Sequence, residues 1–240
     1  MNRRYIKALI IQALGPISLL ASTITISRWL GPSEQGEFLS VKSWVDVLVA
    51  VTCFGLPQSI VISINRYKSS AKIIYVYSIR YILLALPILI FATALWGQGR
   101  SFLDSTLLSI AAACVSIVGI WRGILLTQDD GTRFHLITAL SSLSLAGAIG
   151  VGLLVHASIA EQVVRMYFFA GIITIFLGYL LCPWSKVNEA FGATPSISKL
   201  ITNGVDAFIQ ALSTTAQVFI CVTWMRQHTG VEAIGFFSVA

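Results

Sequence analysis

Residues 73–96 read IIYVYSIRYILLALPILIFATALW, a run whose single charge is Arg80. At about 1.5 Å of rise per residue a helix of that length covers roughly 36 Å, enough to cross about 30 Å of hydrocarbon. Inside a bilayer the backbone must satisfy its own polar groups, which a helix does within one segment and a strand does only around a closed barrel. Barrel strands alternate in polarity over about ten residues, and this run does not alternate. It predicts a transmembrane helix.

Six further stretches have the same character, at about 8–27, 38–62, 103–127, 134–156, 162–182 and 203–225. Turn residues or charges bound them, as in Gly31-Pro32-Ser33-Glu34, Arg66-Tyr67-Lys68, Gly97-Gln98-Gly99-Arg100 and Gln128-Asp129-Asp130-Gly131. Composition agrees: of 240 residues, 56% are hydrophobic and 11% charged, against roughly 25% charged in a soluble domain. A soluble globule and a disordered chain are both excluded. Three His and four Cys are too few and too scattered for a zinc framework or a disulfide scaffold. Cys53, Cys114, Cys182 and Cys221 all fall in spans, as small apolar fillers.

The net charge of +6 suggests nucleic acid only if the basic residues cluster on one exposed surface. They lie mostly in short loops between spans, so no nucleic-acid partner is expected. With the N-terminus in the cytoplasm, the outer side holds Arg28, Lys42, Arg100, Arg165 and Arg226, and the other eleven of the sixteen Lys and Arg fall inside. That excess sets the orientation. The first apolar run is longer than the 7–15 residues of a signal peptide and lacks a small-x-small cleavage site, so it reads as an uncleaved span.

Ile11-Gln12-Ala13-Leu14 recurs as Ile209-Gln210-Ala211-Leu212, and Gly31-x4-Gly36-x-Phe38 recurs as Gly230-x4-Gly235-x-Phe237. Six spans separate the copies. An even number returns the chain to the same side, so the repeats are parallel and related by an axis along the membrane normal. The expected fold is an all-α integral membrane protein: a six-helix N-terminal bundle (1–182), a cytoplasmic linker (183–202), and the first helix of a parallel second repeat (203–240). On this reading the chain is one half plus the opening of a truncated second half; the alternative is a seven-helix protein with chance similarity.

Polar residues within spans are the candidate functional groups. Asn203, Asp206, Gln210, Ser213, Thr214, Gln217 and Cys221 recur at steps of three and four, which puts them on one helix face. Gln12, Gly15, Pro16, Ser22 and Thr23 repeat the pattern in the first span. These faces either line a wet cavity or supply hydrogen bonds between helices. Arg80 lies about 10 Å and Arg122 about 7.5 Å inside their spans. Two guanidinium groups suit a diphosphate; snorkelling to the headgroups is the competing use. Asp46, about 12 Å deep, either titrates in a proton-coupled cycle or pairs with an arginine. Pro16, Pro57 and Pro87 mark expected bends in the first three spans. No phosphate loop, His-Glu-x-x-His or Gly-x-Ser-x-Gly is present. His156-x4-Glu161 and Asp129-Asp130-Gly131 read as loop edges, so no catalytic residue, metal or cofactor is expected.

The segment Ile26-Ser27-Arg28-Trp29-Leu30-Gly31-Pro32-Ser33-Glu34-Gln35-Gly36-Glu37-Phe38 resembles the first-loop signature of polysaccharide exporters. Phe54-Gly55-Leu56-Pro57-Gln58-Ser59-Ile60 is similar to the Gly-Leu motif that follows it, and Gly230-Val231-Glu232-Ala233-Ile234-Gly235-Phe236-Phe237 to the loop after the seventh span. The family is the multidrug/oligosaccharidyl-lipid/polysaccharide exporter superfamily, nearest to O-antigen and capsular repeat-unit flippases. The resemblance implies two six-helix bundles around a cationic cavity and alternating access. It also implies an undecaprenyl-diphosphate-linked oligosaccharide as cargo, moved outward across a bacterial inner membrane. Arg80 and Arg122 would bind the diphosphate; Gln12, Asp206, Gln210 and Gln217 would bind sugar hydroxyls. A second half-transporter or polysaccharide polymerase machinery would be partners. Family members have twelve or more spans, so this chain departs in length. Cation-coupled multidrug antiport, often served by a carboxylate in the first span, is the nearest rival, and residues 8–27 hold none. An inactive or partner-dependent fragment is the third reading.

Overall fold

The computed structural model describes residues 3–29, 31–96, 101–127, 131–154, 159–182 and 197–237. The expected edges Gly97–Arg100, Gln128–Asp130 and His156, and linker residues 183–196, lie outside them. The described residues are helical: α1 (Arg3–Trp29), α2 (Gly31–Cys53), α3 (Leu56–Tyr67), α4 (Ala71–Trp96), α5 (Phe102–Leu126), α6 (Gly131–Leu154), α7 (Ile159–Leu181), α8 (Ile197–His228) and α9 (Val231–Phe237). Among them, seven segments are long and apolar enough to cross a membrane, with α2 and α3 together forming one. The chain is a multi-pass, all-α membrane protein.

At the centre α5 packs against α2, α3, α4, α6 and α7. Its start is fixed by Ser101, whose hydroxyl oxygen accepts a hydrogen bond from the Asp104 backbone N–H at 3.1 Å. This N-cap satisfies an otherwise orphan donor. Trp121 is 2% exposed and covers Gly178 of α7, where a side chain would collide with the indole. Buried hydroxyls turn back on their own helix, as Ser109 does to the Ser105 carbonyl (2.8 Å) and Thr174 to that of Ala170 (2.6 Å). Thr93 and Ser109 also bond each other at 3.2 Å, joining α4 to α5. Satisfying polar atoms locally is what lets so many Ser and Thr sit inside an apolar bundle.

Two boundaries differ from expectation. The second span does not run unbroken through 38–62: it stops at Cys53, passes Phe54 (φ 42°) and Gly55 (φ 66°) in left-handed conformation, and restarts as α3 with Pro57 in its first turn. Pro57 lacks the N–H that would continue α2, and any side chain on Gly55 would collide with the Gly204 carbonyl of α8. The break is thus held by a helix remote in sequence. Pro16 and Pro87, by contrast, lie inside helices assigned without interruption. The second correction concerns the linker: helix α8 begins at Ile197, so the last six residues of the expected 183–202 connection are helical.

α1 lies on α6 and α2, its Gly15 against Ala139, while α8 lies on α2 and α3. α2 therefore forms the floor between two walls, α1 with α6 on one side and α8 on the other.

The candidate site, a polar groove floored by the second helix

The face of α2 that carries Leu39, Lys42, Asp46, Val49, Ala50 and Cys53 advances by threes and fours, one stripe along the floor. Asp46 lies at the junction of two cavities. One, of about 590 Å³, opens between α2, α3 and α8 and is lined by Asp46, Cys53, Gln58, Gln210, Thr214 and Thr215, among others. The other, of about 190 Å³, lies between α1, α2, α5, α6 and α7, with Lys42, Asp46, Ser141, Ser142, Tyr167 and Thr174 in its wall. The Lys42 ammonium donates to Asp46 Oδ2 at 2.5 Å, an i,i+4 pair with both side chains partly exposed to this space. A carboxylate, amides and hydroxyls facing one groove provide donors and acceptors for a hydroxylated ligand.

α8 is held against α2 and α3 along its length. Near its end Arg226 forks onto Glu37, Nη2 donating to Oε1 at 2.8 Å and Nη1 to Oε2 at 3.2 Å, with a further bond from Nη1 to Ser40 Oγ at 2.9 Å. Phe219 tilts on Trp44 at 5.0 Å and Phe208 on Phe54 at 4.4 Å. Beyond Phe208, Gly204 meets Gly55 backbone to backbone, and Ser59 donates to the Leu200 carbonyl. The larger cavity lies between the two aromatic pairs, which are eleven residues apart on α8, or about 16 Å.

The two segments that the sequence pairs, around Gly36 and Gly235, lie in contact with each other. A methyl group on Gly36 would overlap the Val231 carbonyl, and one on Gly235 would overlap the Pro32 carbonyl. The offset of 199 maps Gly36 onto Gly235 and Pro32 onto Val231, so the two contacts are each other's equivalents. Gly31 (φ 83°) and Gly230 (φ 89°), also equivalent, share a left-handed backbone. Reciprocal contacts of this kind are what a two-fold relation between copies produces.

The structure places the anticipated residues unevenly. Gln210 and Asp46 meet in the larger cavity. Asp206 and Gln217 are exposed on the same face of α8, before and after Gln210, and do not line that cavity. Thr214 bonds only the Gln210 carbonyl of its own helix, so the stripe is not spent on helix–helix hydrogen bonds among the described residues. Gln12 is exposed, on the flank of α1 that carries Leu19, a lining residue of the smaller cavity. Arg122 is accessible, its guanidinium 5.8 Å from the centre of the Phe134 ring, beside the α5 face where Gly119 packs on Cys53 and Pro57.

Arg80 is different. Ile74, Ser78, Ile82, Leu89 and Thr93 define the packed side of α4, and Arg80 projects from the opposite side with the exposed Leu84, Ile88 and Phe91. It points away from the packed side, and among the described residues neither Arg80 nor Arg122 lines either of the two cavities. A lone arginine on an apolar outer face is placed for its head to reach the headgroup layer.

Asp46 pairs with Lys42 rather than with an arginine, a partner that the i,i+4 spacing makes legible. Gln58 and Thr215 carried no periodic signal, and the Arg226–Glu37–Ser40 cluster joins residues nearly two hundred positions apart. Compared with known proteins, the chain matches no family model, and no curated protein or solved structure is similar to it.

Proposed function

We propose that this chain is part of a carrier that moves a lipid-linked oligosaccharide across a membrane by alternating access, without catalysing a chemical step. The observation that carries the reading is the groove floored by α2, where Asp46, Gln58, Gln210 and Thr214 line one cavity of about 590 Å³ walled by α8. Amides and hydroxyls there would exchange hydrogen bonds with sugar hydroxyls, and Arg122 would meet the diphosphate through paired N–H donors. Arg80 takes the role of an interfacial anchor. The reciprocal Gly36 and Gly235 contacts support a two-fold carrier architecture in which a second bundle completes the cavity. Undecaprenyl diphosphate as the anchor lipid, the bacterial inner membrane and a cytoplasmic N-terminus belong to the same proposal, as do a second half-transporter or polymerase machinery as partners.

The test is complementation of a bacterium lacking its repeat-unit flippase, scored by surface polysaccharide. The wild-type chain, expressed with the half-transporter that completes its cavity, restores the polysaccharide; Arg122→Ala and Gln210→Ala insert normally and do not, whereas Arg80→Gln does. Full activity in the first two variants removes the site.

The presence of Asp46 in both cavities also favours a second reading, cation-coupled antiport of drugs. Its discriminating result is drug resistance conferred by the wild-type chain and lost in Asp46→Asn, with no effect on polysaccharide.

A further inference from the structure

On the side of the α6–α7 pair turned away from the polar groove lies a separate cavity of about 770 Å³. On α6, Ser141, Ser142 and Leu145 face inward to Asp46, while Leu143, Gly147 and Val151 face this outer groove. On α7, Met166, Phe169 and Ile173 complete an almost wholly apolar wall. The α7 lining runs from Gln162 to Leu177, fifteen residues or about 22 Å, against roughly 15 Å for half the hydrocarbon layer. One acyl chain of a single leaflet fits along it. The exposed Gly147 leaves the groove open, and a methyl group there would meet nothing within 4 Å.

One end is charged. Arg165 lines the groove three residues inside the span Gln162–Leu181, about 4.5 Å from its start, within reach of the headgroups. Among the described side chains its contact is with neutral Gln162, Nη1 donating to Oε1 at 3.3 Å. Deeper in the groove the Ser144 hydroxyl is buried without a partner. A hydrocarbon chain leaves it free to turn onto the Leu140 carbonyl, the i−4 bond that Ser109 and Thr174 make elsewhere in the bundle.

We infer that this groove is a binding site for an anionic phospholipid, one acyl chain lying between α6 and α7 and the phosphate on Arg165. The inference is independent of the cargo, because the groove opens on the other side of the helix pair from Asp46. An apolar slot selects a chain, and the guanidinium at its mouth selects negative charge.

The experiment is native mass spectrometry of the purified full chain titrated with phosphatidylglycerol or phosphatidylcholine. Half-occupancy is expected at about tenfold lower concentration for phosphatidylglycerol, the factor that a single charge-assisted contact supplies. Arg165→Gln brings the two lipids to parity. Gly147→Leu, whose Cβ meets nothing within 4 Å and whose branched end extends into the slot, lowers occupancy by both, and Arg80→Gln, removing another exposed arginine, leaves the preference intact. Parity in the wild-type chain, or an unchanged preference in Arg165→Gln, overturns the proposal. So does a lipid-insensitive dimer that Gly147→Leu abolishes, since the groove is then a helix–helix interface.

Discussion

The closest test of the two-fold relation is a pair of one-methyl substitutions. Gly36→Ala places its methyl against the Val231 carbonyl, and Gly235→Ala against the Pro32 carbonyl. Both obstacles are main chain and cannot rotate away. Alanine in place of glycine gains up to about 1 kcal/mol of helix propensity, whereas overpacking costs about 1–3 kcal/mol. Overpacking wins, and each variant is expected to lose about 1–2 kcal/mol, a fall in unfolding midpoint of about 2–8 °C at this chain length. Gly150→Ala is the control: its methyl meets nothing within 4 Å, so only the propensity gain remains and the midpoint rises by about 2–4 °C. The assay is thermal unfolding of the purified variants in one detergent, followed by tryptophan fluorescence. The signs are opposite by construction. If Gly36→Ala and Gly235→Ala behave like Gly150→Ala, the two carbonyls are not where the argument needs them; if only one variant is destabilised, the contacts are not equivalent.

Three further outcomes are expected. Arg226→Ala removes a fork of hydrogen bonds from a pair whose side chains are 24% and 18% exposed; after discounting for that exposure the cost is about 2 kcal/mol, and a double-mutant cycle with Glu37→Ala returns a coupling of about 1–2 kcal/mol, with zero coupling refuting the clamp. A membrane-impermeant maleimide labels the exposed Cys221 but not the buried Cys114; labelling of Cys114 at the rate of Cys221 contradicts the helix packing. Cys182, just beyond the end of its span, has a thiol pushed up to about 11 by burial, with Arg133 pulling the other way. Buried like Cys114, it too should stay unlabelled at about pH 8.5, and labelling there at the rate of Cys221 shows that it is not desolvated.

Much of the architecture was legible because lipid imposes one rule on every span: a continuous apolar run must close its own backbone bonds. Where flanking charges and turns are clear, as around residues 73–96, the helix was readable to within a residue or two. Pro57 made a bend in the second span legible too, but not the close approach of Gly55 to the Gly204 backbone, which only folding brings together. The orientation of Arg80 was hidden for a different reason. Its helix is apolar on all sides, so no periodic contrast distinguishes the packed face from the lipid face, and depth alone says nothing about direction. The stripe on α8 does have that contrast, which is why Gln210 could be nominated from spacing. That only its middle lines the larger cavity depends on how α8 leans on α2, fixed by Phe219, Phe208 and Arg226.

The most direct measurement of the carrier claim is transbilayer movement itself. Proteoliposomes holding the wild-type chain, or the chain with its second half, are loaded with a fluorescent oligosaccharide on a polyprenyl diphosphate, and the outer-leaflet fraction is read with an impermeant quencher. Accelerated movement is predicted, lost when Gln210→Trp fills the cavity beside Asp46 and retained in Arg80→Gln. Movement at the protein-free rate, or equal acceleration with the cavity filled, contradicts the account.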